Sequence, residues 1–201
     1  MPRAASTSNK RFPSCIGIDD GPFPPKSPGR TAKAPLVAAC LRGVHLAKLS
    51  ITWITVDGLD ATEKARAALE TLPRSPILLS GVTFGGFNLI DPRKIHQRFK
   101  VPTMIVVGSK PDNRAVKRAL VKHFQDWKER WEIIRSLGPL RSARTVADEP
   151  PIFYEALGCT ASEARKILMG SARVSRVPEP LRVAGLVARG LFKPRTLSPT
   201  G

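Results

Sequence analysis

The sequence predicts an α/β fold, a mixed five-stranded sheet flanked by helices. Three observations predict it. Five short apolar runs read as strands, at 14–19, 36–42, 50–57, 77–82 and 103–107. The last three runs are separated by helical patterns, the order of parallel crossover units. The second and third are joined by a short segment, as in an antiparallel hairpin or meander. With 201 residues and 42% apolar content, the chain can bury one core. Residues 13–193 are expected to form a single domain, between a disordered basic tail at 1–12 and a flexible tail at 194–201.

Each element has a local reason. The first strand, Ser14 to Asp19, is followed by a loop from Gly21 to Gly29 whose prolines remove backbone donors. That loop is read as a connector or as a cover for whatever Asp19 and Asp20 bind. Strands follow at Leu36–Arg42 and Ser50–Asp57. A helix is expected over Ala61–Leu72, capped by Asp60 or Thr62, with Ala65, Ala68, Leu69 and Leu72 on one face. The strand Ile77–Val82 leads into a turn-rich piece and a short helix near Pro92–Phe99. Asp91 there is either that helix's cap or a metal ligand. The fifth strand is Thr103–Val107. A long helix from Asn113 to Leu137 has Asp112 as cap and Gly138 as stop, and its Arg and Lys residues read mostly as a solvated face. Residues 139–154 suggest one or two short strands. Thr160 with Glu163 forms a capping box for the next helix, and Val177-Pro178-Glu179-Pro180 breaks the chain before a last helix, Leu181–Leu191.

Charge narrows the function. Thirty-three Lys and Arg stand against sixteen Asp and Glu, a formal net charge of +17. Such a surplus favours a polyanionic partner, and nucleic acid fits best because each neutralised phosphate releases counterions. No apolar run reaches the roughly 18 residues that would span a bilayer, and no signal-peptide core is present, so no membrane partner is expected. Three scattered cysteines, Cys15, Cys40 and Cys159, argue against a zinc ribbon or a disulfide framework and suggest a reducing cytoplasm. The three histidines show no metal spacing.

The few acids gather after strands. If the first three strands form a meander, the first and third run the same way, and right-handed crossovers align the fourth and fifth with them. Their carboxyl ends then share one edge, where open α/β sheets bind ligands. That edge would collect Asp19, Asp57, Asp60, Glu63, Ser80 and Lys110. Converging carboxylates suit Mg²⁺, which takes one or two of them, keeps waters and bridges phosphates. Asp19, Asp57 and Asp60 are the candidate metal ligands; Lys110 would neutralise charge building on a phosphate. Each acid also has an ordinary reading, as a turn residue, a helix cap or a first-turn acid. The segment Gly81–Asp91 is the second signal. Gly85 and Gly86 allow close backbone approach, Phe84 and Phe87 could stack on a base, and Asn88 could bond its edge. The alternative is a glycine-bent strand with two core phenylalanines.

These segments resemble the archaeal endonuclease dU family, relatives of endonuclease V. The residues that carry the resemblance are Ile16-Gly17-Ile18-Asp19-Asp20-Gly21-Pro22-Phe23, Val56-Asp57-Gly58-Leu59-Asp60-Ala61-Thr62-Glu63, Gly81-Val82-Thr83-Phe84-Gly85-Gly86-Phe87-Asn88, Lys110-Pro111 and Pro178-Glu179-Pro180-Leu181-Arg182-Val183-Ala184. The resemblance implies a ribonuclease H-like fold and cleavage, with Mg²⁺ or Mn²⁺, of DNA holding deoxyuridine. Asp19 matches the first metal-binding Asp of the endonuclease V pattern, an acid from Asp57, Asp60 or Glu63 would take the second position, and Lys110 looks like the lysine of the fifth strand. Two departures stand out: Ser80-Gly81 replaces an Asp-Gly, and Gly185 lies near a polar metal-site residue of endonuclease V. The alternatives are a catalytically silent nucleic-acid-binding protein and a nuclease directed at single-stranded DNA or RNA.

Overall fold

The computed structural model describes residues 14–24 and 31–191. The expected tails, and residues 25–30 of the proline loop, lie outside the described residues. Nine strands and six helices follow in chain order among those described. They are β1 (Ser14–Asp20), β2 (Lys33–Arg42), β3 (His45–Thr55), α1 (Ala61–Glu70), β4 (Ile77–Leu79), β5 (Thr83–Phe84), β6 (Asn88–Leu89), α2 (Pro92–Phe99), β7 (Thr103–Val107), α3 (Asn113–His123), α4 (Trp127–Arg135), β8 (Arg141–Ala143), β9 (Ile152–Leu157), α5 (Ala161–Ser171) and α6 (Glu179–Gly190).

The main sheet has the order β3-β2-β1-β4-β7-β9-β8. Antiparallel pairing of β1 with β2 and of β2 with β3 sends β1 and β3 the same way. β4 lies parallel to β1, and β7 parallel to β4. The expected mixed sheet is therefore present, and the carboxyl ends of β1, β3, β4 and β7 share one edge. Two further strands extend the five: β9 pairs antiparallel with β7, and β8 with β9.

Period-two alternation divides the core. Ile16, Ile18, Ile77, Leu79 and Ile105 pack with α1 and α2 on one face. Leu78, Met104, Val106, Ile152 and Tyr154 pack with α5 and α6 on the other. On that second face α6 lies close against β1. A Cβ at Gly17 would overlap the backbone of Pro180 and Leu181, so glycine sets the approach.

The expected long helix is two helices. Phe124 is extended (φ −131°, ψ 127°) and ends α3; Asp126 opens α4. Neither Pro nor Gly causes the break. The Phe124 ring turns edge-on to Phe87, with centroids 5.5 Å apart, and receives the Arg130 guanidinium at 4.3 Å. Asp91 caps α2 through the N–H groups of Arg93 and Lys94, and Asp112 caps α3 likewise. The Thr160–Glu163 capping box is formed. No helix among the described residues is long and apolar enough to cross a membrane.

Candidate functional site

Asp19 stands at the carboxyl end of β1, on the α6 face by the same alternation as Gly17. Its Oδ1 accepts hydrogen bonds from the Ser80 hydroxyl at the end of β4 and from Asp20 N at 3.0 Å. Its Oδ2 faces α6 at Gly185, where any side chain would overlap it. Gly185 therefore leaves room on α6 for the Asp19 carboxylate. Burial raises the Asp19 carboxyl above its ordinary range, against the lowering effect of Ser80, Asp20 N and the Arg189 guanidinium. The carboxylate opens into a cleft of about 370 Å³ whose lining includes Ser80, Gly108, Ser175, Arg182 and Arg189.

Asp20 points to the opposite face. Its Oδ2 accepts from Gly85 N at 2.6 Å. Burial, with Asp19 adding and Gly85 N opposing, pushes its carboxyl up to about 6. Asp57 holds the same loop from its other side. Its N–H donates to Gly85 O at 2.8 Å, and its Oδ1 accepts from Phe87 N at 2.8 Å. Asp57 lies in the turn after β3 in the left-handed region (φ 57°), a conformation an Asp tolerates. Asp19, Asp20, Asp57 and Ser80 thus meet the one edge that the topology required.

The other expected site residues do different work. Asp60 turns back on its own loop, accepting from Thr55 N at 3.0 Å, Thr55 Oγ1 at 2.9 Å and Asn88 Nδ2 at 2.6 Å. Asn88 is fully buried, and it also bonds Thr55 O and Ala61 N. Gly85, Gly86, Phe87 and Asn88 therefore form the frame behind the acids and line neither of the cavities flanking Ser80. Glu63 pairs with Arg66 at 2.7 Å on the exposed face of α1. Lys110 is exposed beyond β7, its Nζ 5.4 Å from the Phe153 ring centroid.

Asp60 carries a prediction. Burial pushes its carboxyl up, but the Thr55 N–H, Asn88, the Thr55 hydroxyl and Lys33 together hold it below the ordinary range. A depressed folded-state value adds stability above the unfolded pKa of about 3.9, and that stability is lost as pH falls through the folded value. Because the side chain is 31% exposed, we expect Asp60→Ala to cost about 1–2 kcal/mol at pH 7. In urea unfolding, the gap from wild type should narrow at pH 3; a gap that is the same at both values would contradict this role.

Five residues carry no role on sequence alone. Asp20 stands in the first acidic motif with nothing local to set its direction. Ser80 marked a missing acid, yet it braces Asp19. Arg182 and Arg189 lie at i and i+7 on α6 with Gly185 between them, a spacing that places all three on one helix face and was visible in the sequence. Arg130 gave no local signal. Among the described residues, no three His, Cys, Asp or Glu are grouped to hold a metal ion. The donors present in the cleft still fit Mg²⁺, which needs only one or two carboxylates: the buried Asp19 carboxylate with the Ser80 hydroxyl beside it.

Known proteins resemble this chain in sequence and in fold. A UPF0215 protein of Pyrococcus furiosus is 35% identical over 192 residues, covering 92% of this chain and 94% of its own. One from Methanopyrus kandleri is 34% identical over 89% of this chain and 90% of its own. A crystal structure of a protein of unknown function from Archaeoglobus fulgidus aligns with TM-score 0.72 and 29% identity, over 87% of this chain and 95% of that one. Endonuclease V of Bacillus subtilis aligns with TM-score 0.57 and 14% identity, over 87% and 78%. Ciona intestinalis endonuclease V, bound to DNA containing an inosine, aligns with TM-score 0.51 and 18% identity, over 86% and 82%. The fold is thus the ribonuclease H-like fold of endonuclease V. The family model described as endonuclease dU matches residues 13–192, and this protein belongs to that family, nucleases of the endonuclease V kind.

Proposed function

We propose that this protein is a divalent-metal-dependent endonuclease of DNA repair, cutting DNA at deaminated bases and at deoxyuridine above all. The observation that carries the reading is Asp19: a desolvated carboxylate, braced by Ser80, opening into a cleft with two arginines. Asp19, with the Ser80 hydroxyl beside it, would hold Mg²⁺ or Mn²⁺. When bound there, the cation would supply an activated water and charge stabilisation for the leaving oxygen. The chain's own groups do the rest. Ser80 and Asp20 N fix the Asp19 carboxylate. Arg189 and Arg182 face the cleft and attract the phosphate, Arg182 being positioned by Glu179 at 2.9 Å. Asp57 holds the Gly85 loop that sets Asp20. Lys110, exposed at the same edge, adds positive charge for the incoming strand. The exposed face of α3, with Arg114, Lys117, Arg118 and Lys122, extends the basic surface.

The lack of three grouped ligands among the described residues favours one second reading, a protein that binds nucleic acid without cutting it. End-labelled strands with one deoxyuridine, one deoxyinosine or RNA separate the two. We expect cutting of the deoxyuridine strand with Mg²⁺ and none with EDTA. Tight binding with no metal-dependent product would establish the second reading instead.

A further inference from the structure

Hydrolysis of a phosphodiester by metal ions can use two cations about 3.5–4 Å apart, one for the attacking and one for the leaving oxygen. This chain lacks the carboxylates to hold such a pair. All sixteen Asp and Glu lie among the described residues, because 1–13, 25–30 and 192–201 contain none. Asp19 is the one acid of the sixteen that lines the cleft. Asp20, Asp57 and Asp60 are spent on Gly85 N, Phe87 N and the Thr55–Asn88 group. One carboxylate does not balance two divalent cations.

A guanidinium stands where the other positive charge is needed. Arg189 follows Gly185 by four residues on α6, and helical side chains lean back over the preceding turn. With no side chain on Gly185, Arg189 lies across it. A Cβ there would meet the Arg189 Nη1 at 3.1 Å and the Asp19 Oδ2 as well. Guanidinium and carboxylate therefore border the same space, and Arg189 favours the ionised form of Asp19. Arg189 is exposed and makes no hydrogen bond among the described residues, so its donors are unspent. Arg182, the other arginine of the cleft, differs. Its Nε and Nη2 both donate to Glu179 Oε2, at 2.9 and 2.5 Å, and Glu179 is only 3% exposed. The charge of Arg182 is matched within the protein; that of Arg189 is shared only with Asp19.

We infer that this site works with a single cation and that Arg189 is a catalytic residue, supplying the positive charge a second cation would bring. The inference rests on the proposed function and divides the labour within its site. A water oxygen forms the new bond to phosphorus. The ester P–O bond breaks with its electron pair on the leaving sugar oxygen, which takes a proton from solvent. Arg189 keeps its own protons throughout. It donates hydrogen bonds to the phosphoryl and leaving oxygens as their charge grows, which is where a preset donor acts most strongly. Arg182, held by Glu179, grips the phosphate before and after the step alike, so it contributes to binding and not to the barrier.

The test counts Mn²⁺ by EPR and follows cutting of a deoxyuridine strand, both on the full chain. Wild type should bind one Mn²⁺ that Asp19→Asn loses, and its cutting should rise with Mg²⁺ with a Hill coefficient of about 1. Arg189→Ala should lower kcat about 10²- to 10³-fold and change KM by less than about threefold. The same variant should bind Mn²⁺ about 3- to 10-fold more tightly, because a positive charge near the ion is gone. A residue that merely shaped the metal site would move cutting and metal affinity in the same direction. Arg182→Ala should act mainly on KM. Arg189→Lys keeps the charge without the fork, so it should hold the wild-type Mn²⁺ affinity and recover about tenfold in kcat over the alanine variant. Two Mn²⁺ per wild-type chain or a Hill coefficient of about 2 overturns the inference, and that count needs no variant to fold. An Arg189→Ala loss confined to KM, or weaker Mn²⁺ binding in that variant, overturns it too. Either result leaves the nuclease reading standing. A wild type with no metal-dependent cutting overturns the function and the inference together.

Discussion

Asp19→Asn is expected to lower metal-dependent cutting by about 10³-fold or more and to leave the fold intact. The magnitude follows from the several kcal/mol, about 4, that a bound cation supplies to a developing charge, at about 1.4 kcal/mol per tenfold. The amide keeps the shape of the carboxylate, and its oxygen can still accept from Ser80 and Asp20 N. Only the charge is lost. Burial already disfavours that charge, since it raises the carboxyl above its ordinary range, so the variant should melt no lower than wild type. DNA binding should also survive, because it is carried by arginines and lysines and not by Asp19. The measurement is single-turnover cutting of a deoxyuridine strand beside a thermal melt of the same preparation. Cutting within tenfold of wild type would mean that Asp19 holds no cation.

The sequence made this edge legible for a simple reason. Strand direction follows from connection length, so the meander and the crossovers align the carboxyl ends of β1, β3, β4 and β7 from connectivity alone. What it left open depended on contacts distant in the chain. Asp57 and Asp60 sit three residues apart after one strand, and nothing local separates them. Asn88 and Thr55 do, by occupying the Asp60 carboxylate. Asp19 and Asp20 are neighbours, yet alternation sends one to α6 and the other to the Gly85 loop. The break between α3 and α4 has no Pro or Gly, because its cause is a ring packed on Phe87. β8 and β9 were seen only as short strands, since three and six residues carry little pattern.

Arg130→Ala should be the most destabilising single change near the site. Sequence placed Arg130 among the solvated basic residues of a helix, yet only 3% of it is exposed. Its guanidinium binds three backbone carbonyls: Gly58 O at 2.9 Å, Phe87 O at 2.5 Å and Asp57 O at 2.9 Å. It also grips Asp126 with Nε and Nη2, each at 2.8 Å. One planar fork therefore ties the turn after β3 and the loop after Gly86 to α4. The alanine variant leaves those carbonyls and a carboxylate without their donor, a cost of about 3–5 kcal/mol. For a chain of this size that is about 6–20 °C in Tm. Lysine restores the charge but not the fork, since one ammonium cannot reach all four partners. Arg130→Lys should therefore recover less than half of the lost stability. It should also cut poorly at temperatures where it is folded, because Asp57 and Phe87 set the loop that positions Asp20. The pH dependence gives an independent check. The Arg130 hydrogen bonds hold the Asp126 carboxyl below its ordinary range, so their contribution is complete above the unfolded value of about 3.9 and fades as pH falls through the folded one. The stability gap between wild type and Arg130→Ala should narrow on acidification, by the share that the Asp126 pairing supplies. A lysine variant that melts and cuts like wild type would show that positive charge alone, without the three carbonyl bonds, holds this edge of the sheet together.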